Sequence, residues 1–417
     1  MDQTNAKAPP RVRFLDPTTP PHIVTLVLIA GLSALTMNLI LPSLPTLTAY
    51  FEEDYALVQT AISGYLATTS VLQLLIGSLS DRYGRRPVIL VALLIFLLAT
   101  IGAISSSTFE VFLAFRMMQA AVVTGLVLSR AVVRDMVPMD QAASMIAYVT
   151  MGMTLAPMIG PTIGGFLEEA YGWQASFMFL LVSGVVVLFI TWFDLAETNH
   201  NRTSSMAGQF RSYPELLTSR RFWGFTLTLA FTTGAFFAFL GGAPFVAEYH
   251  LHLGPTLLGL YFALIGLGYM IGNYFSARYS VRIGVFPMMM SGNVVMSAGL
   301  LLACLLAFAG WVTPYTFFGP LFFVGLGNGM TLPSANAGVV SVRPHLAGSA
   351  AGLSGAMMIG GGAGLSVLAG ILLTPQSGPL PLLILMLISG ILAFLSSLYT
   401  WHVDRTSDRA LESGIRR

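Results

Sequence analysis

"GSLSDRYGRRP" occupies Gly77 to Pro87, and long apolar runs flank it on both sides, near 57–79 and 88–107. Asp81, Arg82, Arg85 and Arg86 crowd into six positions, and Gly77 and Gly84 permit a tight turn there. Such a string reads as a charged hinge between two hydrophobic segments. Each flanking run is long enough to cross a hydrocarbon core about 30 Å thick. Working outward, similar runs recur near 23–48, 110–132, 142–166, 174–193, 223–246, 256–276, 285–308, 312–334, 347–373 and 380–401, which makes twelve. In lipid each must be a helix, because a helix satisfies its own backbone hydrogen bonds.

Composition agrees. Of 417 residues, 55% are hydrophobic and only 9% charged, with a mean hydropathy of +0.77. A soluble domain carries roughly a quarter charged residues, so this chain could not cover its own surface in water. The first 21 residues, with Lys7, Arg11 and Arg13, lead straight into a full-length span. A cleavable signal would show a shorter apolar core, so the first span is expected to be a retained anchor. The single cysteine, Cys304, offers neither a disulfide framework nor a thiolate metal site.

The charges alternate from one end of the spans to the other. Of the 20 basic residues, 19 fall in the two tails or in alternate loops, among them Arg82, Arg85, Arg86, Arg130, Arg134, Arg220, Arg221, Arg278, Arg282 and Arg343. The loops between carry acids instead: Glu52, Glu53, Asp54, Glu110, Glu168, Glu169 and Glu248. An excess of arginine and lysine marks the cytoplasmic side, so both termini are expected inside. Arg116 alone fits neither side.

The longest polar interval, 195–221, divides the spans six and six. The expected organisation is a tail (1–22), a six-helix bundle (23–194), a cytoplasmic linker (195–221), a second bundle (222–401) and a C-terminal tail (402–417). The halves echo each other at an offset of about 200. Gly152, Ala156, Gly160 and Gly164 in span five are matched by Gly352, Ala356, Gly360 and Gly364 in span eleven, and "SDRYGRR" by "SARYSVR". Parallel six-span repeats are a recurrent transporter plan, with the substrate site between them.

The Gly77–Pro87 string as a whole resembles the loop signature of the major facilitator superfamily, matching at Gly77, Leu79, Asp81, Arg82, Gly84, Arg85 and Arg86. The blander reading is that its arginines only set topology. The resemblance implies a charge-assisted latch between the halves, in which Asp81 and its arginines close the inner gate. Span five, with Gly152, Pro157, Gly160, Pro161, Gly164 and Gly165, is similar to the superfamily's antiporter motif; close helix packing is the alternative. Arg116 and Gln119, at i, i+3 in "FRMMQAA", resemble its span-four motif, whose Arg is associated with the substrate and proton pathway. An arginine within a span costs about 2.5–3.5 kcal/mol on the insertion scale and so faces a cavity or a partner, unless it snorkels outward. "SRAVVRDM" (129–136), with Arg130, Arg134 and Asp135, and "FFAFLGGAPFV" (236–246) look like the Bcr/CflA group of drug:proton antiporters. That group places an Asp in span one four residues ahead of a Pro-x-x-Pro. Here Asn38 stands there, ahead of Pro42 and Pro45.

Asn38, Arg116, Gln119 and Gln73 are therefore the candidate substrate and ion pathway, and by depth Asn38 and Arg116 could meet across a cavity. Asn273, Asn293, Asn328 and Asn336 read first as helix–helix hydrogen bonds. No Asp or Glu lies well inside a span, which leaves Asp135 and Glu110 as the nearest titratable candidates for a coupling proton, with Asp81 committed to the latch. His250 and His252 could hold a metal only weakly. No phosphate-binding loop or zinc motif is present, so an ATP-driven pump, a metalloprotease and a membrane enzyme are all disfavoured. The expectation is an all-α membrane protein of two pseudo-symmetric six-helix bundles in the bacterial inner membrane. It would export small amphipathic compounds as a monomer, without a bound cofactor, on the proton gradient. An uptake carrier or uncoupled facilitator of a neutral or anionic molecule, and a transport-inactive receptor or scaffold, remain open.

Overall fold

The computed structural model describes residues 12–137, 139–199, 213–343 and 346–415. The middle of the polar interval (200–212) lies outside them, so the division at 195–221 is only partly visible. The chain forms twelve long helical units: α1 (Ile23–Phe51), α2 (Tyr55–Tyr83), α3 (Arg85–Ile104), α4 (Phe109–Met136), α5 (Met139–Tyr171), α6 (Trp173–Asp194), α7 (Arg220–His250), α8 (Pro255–Ile283), α9 (Val285–Phe308), α10 (Pro314–Ser341), α11 (Ala347–Leu372) and α12 (Leu380–Ile415). Ten of these, all but α5 and α10, are long and apolar enough to cross a membrane by length and composition among the described residues.

Local chemistry decides where these helices bend. Pro42 has no N–H to give the Asn38 carbonyl, so the first helical stretch of α1 ends at Asn38. A 3-10 turn follows at Leu41–Ser43, and the helix resumes over Leu44–Phe51. In α4 a 3-10 turn at Ala120–Val122 follows directly on Gln119. The α2–α3 turn uses Gly84 at φ +101° and the α8–α9 turn uses Gly284 at φ +90°. Both angles are in the region glycine adopts freely. The two turns sit 200 residues apart in number, so the internal repeat extends to backbone conformation.

The apolar core is distributed unevenly from one end to the other. At the end carrying the acidic loops, one cluster is continuous across α1–α6 and α7–α12, running from Leu44, Phe112 and Trp173 to Phe239, Phe262 and Phe318. At the basic end there are two separate clusters. One, around Leu26, Phe96 and Val132, belongs to α1–α6. The other, around Phe222, Phe225 and Met289, belongs to α7–α12, with Leu74 of α2 packed against it. The broadest contacts between the two sets of helices are α5 on α8 and α2 on α11. Leu98, Val182 and Phe308 are among the large apolar side chains left exposed on the outside. That pattern suits lipid as the surrounding solvent.

Candidate functional site

Arg116 has no exposed surface, yet no carboxylate is among its partners. Its Nε donates to the Ala61 carbonyl (3.3 Å), Nη1 to Gln119 Oε1 (2.8 Å) and Nη2 to the Thr36 carbonyl (3.0 Å). The guanidinium lies over the Tyr65 ring, 4.4 Å from its centroid, a cation–π contact strengthened by the absence of water. Gln119, also buried, donates onward to Thr100 Oγ1 at 2.8 Å. One cation thus ties together α1, α2, α3 and α4. Snorkelling to the outer interface is excluded by this geometry. The sequence pairs Arg116 with Gln119 correctly and gives no sign of Thr36, Ala61, Tyr65 or Thr100.

Asn38 does not meet Arg116. Its Nδ2 donates back to the Ala34 carbonyl (2.7 Å), and its buried Oδ1 has no partner. Its Cβ faces α5 at Gly160, where an added Cβ would lie 3.0 Å away. Arg116 reaches the same helix two residues earlier, at Thr36. The reason is rotational: successive residues on a helix are 100° apart, so equal depth does not give a shared face. Gln73 is half-buried against α11, where a Cβ on Gly355 would lie 3.1 Å from its Oε1.

The glycines of α5 have specific partners. Gly164 packs on the backbone of Leu39, and Gly165 on the backbone of Pro255 at the start of α8. The Pro161 carbonyl receives Gly259 in return, and Thr162 Oγ1 donates to the Gly259 carbonyl at 3.0 Å. Gly152 and Pro157 are helical, and their surroundings lie outside the described residues. The same end is tied shut beside α5. Tyr55 donates to the Gly241 carbonyl (2.8 Å), and Gln59 Nε2 donates to Ser366 at both its carbonyl (2.7 Å) and its Oγ (2.6 Å). Gln59 lies at the start of the expected span 57–79 and was not singled out by the sequence.

The Gly77–Pro87 motif folds onto its own half. Arg85 Nη1 donates to Asp81 Oδ1 (2.6 Å) and to Ser80 Oγ, while Nε donates to Asp135 Oδ2 (3.1 Å). Glu197 caps the start of α3, accepting from the backbone N–H of Arg85 (2.9 Å) and Arg86 (3.3 Å). Arg86 also donates to the Trp192 carbonyl (3.0 Å), and Arg82 lies over Tyr83. The pairs Arg85–Asp81, Arg85–Asp135 and Arg221–Asp404 each stay inside one set of six helices, and Arg343 pairs with Glu215 just ahead of α7. Among the described residues the motif therefore organises α2, α3, α4 and the α6 end, and none of these bonds reaches α7–α12. The halves have separate cores at that end, which is why it finds its partners locally. Arg130 is exposed, close to Tyr269 of α8 and to Arg134.

Two acids near span ends are buried: Asp194, the last residue of α6, and Glu168, which the sequence places in a loop. Asp194 is fully buried and accepts the backbone N–H of Leu15 and of His22, both at 2.8 Å, anchoring the N-terminal segment. Glu168 is helical and only 6% exposed. Among the described residues no group of three or more His, Cys, Asp or Glu is placed to hold a metal.

The family model described as Major Facilitator Superfamily matches residues 26–367 and 250–414. Multidrug resistance protein D of Escherichia coli (strain K12) is 30% identical over 89% of this chain and 94% of its own length. The chloramphenicol resistance protein of Pseudomonas aeruginosa is 28% identical over 76% of each chain. Among solved structures, a bacterial homologue of the human lysosomal transporter Spinster, in an inward-facing and occupied conformation, superposes with a TM-score of 0.70 at 18% identity, covering 92% of this chain and 96% of that one. A D-xylose–proton symporter gives a TM-score of 0.70 at 14% identity over 91% and 97%. At such identities the structures establish a shared fold.

Proposed function

The chain belongs to the Major Facilitator Superfamily, and from that premise we propose that this membrane transporter exports small amphipathic compounds by alternating access, driven by the proton gradient. The bacterial relatives named for multidrug and chloramphenicol resistance support the substrate class and the inner-membrane setting. The single observation that carries the mechanism is the uneven core. The halves share one apolar cluster at the acidic end and keep separate ones at the basic end. A two-bundle transporter sealed at one end and divided at the other is one of its two alternating states. With the basic end cytoplasmic, this is the inward-facing state. The chain acts as a single copy with no bound cofactor, and Asn38, Arg116, Gln119 and Gln73 lie along the substrate and ion route.

Asn38 favours a second reading, an uncoupled facilitator, because an amide cannot carry a proton where the related group carries an acid. Flux in reconstituted vesicles decides between them. Under an imposed pH gradient the wild type is expected to concentrate an uncharged lipophilic test drug such as chloramphenicol against its gradient. If only Asn38→Asp does so, the wild type is the facilitator and proton antiport is overturned.

A further inference from the structure

Glu168 lies beyond the apolar run 142–166, on the last turn of α5, where α5 meets α1 and α8. Ser43 and Thr46 of α1 stand beside its carboxyl. Yet Oε2 of Glu168 and Oγ of Ser43 are both buried without a hydrogen-bond partner. One turn earlier Gly164 is in backbone contact with α1, and Gly165 with α8. The carboxyl is thus enclosed by the contacts that seal the acidic end.

Among the described residues no cation is beside it. The stretch of α1 packed there, Leu41–Phe51, offers only Tyr50 as a titratable group; the first turns of α6, Trp173 to Ser176, offer none. On its own helix the neighbours are Glu169 and Tyr171, and Glu169 Oε2 is engaged by the backbone N–H of Thr256 at 3.3 Å. The surrounding loops bring Glu52, Glu53, Asp54 and Glu110, and from the approach to α8 come Glu248, Tyr249, His250 and His252, with Tyr261 within α8. Arg116, the one Lys or Arg in the acidic half of the helices, is committed to Thr36, Ala61 and Gln119. A buried carboxyl with acids around it and no cation beside it favours its uncharged form.

We propose that Glu168 is a proton-binding residue whose protonation is the condition for the acidic end to close. The proton comes from water on that side and forms the O–H bond at Oε2. The neutral acid can then donate to Ser43 Oγ; an ionised carboxylate accepting from Ser43 would pair the same two atoms, but only the neutral form does so without leaving a charge buried there. Opening exposes the carboxyl to water and returns the proton. This rests on the alternating-access reading, and it concerns the gate rather than the drug. The sign follows from linkage: the closed state holds more protons than the open one, so closure is favoured at low pH and is lost as pH rises. Across the titration the closed-to-open ratio changes by up to about tenfold per pH unit for one proton.

The test needs no substrate. In a Cys304→Ser background, spin labels at Leu57→Cys and Leu257→Cys, both exposed at the acidic end of α2 and α8, report the distance between the halves in detergent or lipid nanodiscs from pH 4.5 to 8.5. Wild type is expected to pass from a short to a long distance as pH rises, with a one-proton slope. Glu168→Gln is expected to stay short throughout, and Glu168→Asp to keep a transition at a displaced midpoint, which separates titration from misfolding. Glu169→Gln is expected to keep the wild-type profile. A pH-independent wild type, a Glu168→Gln that titrates like wild type, or loss of the transition in Glu169→Gln instead would each overturn the proposal. Failure of drug export with an intact pH profile would count against the proposed function and leave this site standing.

Discussion

Each set of six helices contains a buried polar hub that joins four of its helices, and the two hubs are built differently. In α1–α6 the hub is a cation: Arg116 gathers the carbonyls of Thr36 and Ala61, the Gln119 amide and the Tyr65 ring. In α7–α12 it is neutral. Asn293 of α9 accepts from Thr232 of α7 (2.9 Å) and Thr331 of α10 (3.3 Å), and donates to Ser397 of α12 (2.8 Å). A neutral amide with its hydrogen bonds made costs little to bury and does nothing but hold. A buried charge costs several kcal/mol even after relaxation, so its retention in one half marks where selection outside stability acts. On the proposed function, this asymmetry would put the chemistry in the first half and scaffolding in the second.

The largest effect expected from this contrast is Arg116→Ala. It leaves Gln119 Oε1 without its donor, at about 1–3 kcal/mol, takes a second bond from the helical carbonyls of Thr36 and Ala61, and empties the space of a fully buried side chain. Vesicle transport should fall below a tenth of wild type, together with a marked drop in thermal midpoint. Arg116→Lys should recover part of the stability and little of the transport, because one ammonium cannot reproduce a planar fork reaching three acceptors. If Arg116→Lys transports normally, the charge suffices without the geometry. If Arg116→Ala is no worse than the corresponding change at Asn293, the contrast between the hubs fails.

How the hubs are assembled was only half legible in the sequence. The helices themselves were, because lipid leaves a backbone no alternative, and the break in α1 was foreshadowed by Pro42 and Pro45. Arg116 and Gln119 are near in sequence, so their pairing could be read as well. Tyr65, Thr36 and Thr100 reach the same point from other helices. Which face each helix turns inward is poorly encoded when every face is apolar. Glu168 was hidden for a related reason: an acid at a span end reads as a loop acid until packing shows it enclosed. The charged motif at Gly77–Pro87 was legible as a network and not in its partners, since Glu197 and Asp135 come from the ends of other helices.

The repeat makes a sharper comparison, because matched glycines need not have matched surroundings. Gly164 of α5 is in contact with the Leu39 backbone, while its counterpart Gly364 of α11 has nothing within 4 Å of an added Cβ. The first contact uses the absent side chain; the second position is open. Gly164→Ala should therefore destabilise by about 1–3 kcal/mol through overpacking and slow transport by disturbing the α1–α5 seam. Gly364→Ala should be neutral or slightly stabilising, by up to about 1 kcal/mol, since alanine is the better helix former. Paired thermal unfolding measurements check both, and equal effects would mean the repeat is functional in both copies.

The smallest expected loss of stability is that of Asn293→Ala, and its size follows from what each partner keeps. Thr331 still donates to the Met289 carbonyl (3.2 Å), and Ser397 to the Ala393 carbonyl (2.9 Å). Only the Thr232 hydroxyl is left buried without its partner. One stranded hydroxyl costs about 1–2 kcal/mol, far less than the groups released around Arg116. The variant should unfold at a modestly lower temperature while transport per folded molecule stays within about twofold of wild type, since a ratio of two is only about 0.4 kcal/mol. A drop in transport out of proportion to the loss of stability would place Asn293 on the substrate route. The neutral hub would then be a binding element too, and the division of labour between the halves would have to be redrawn.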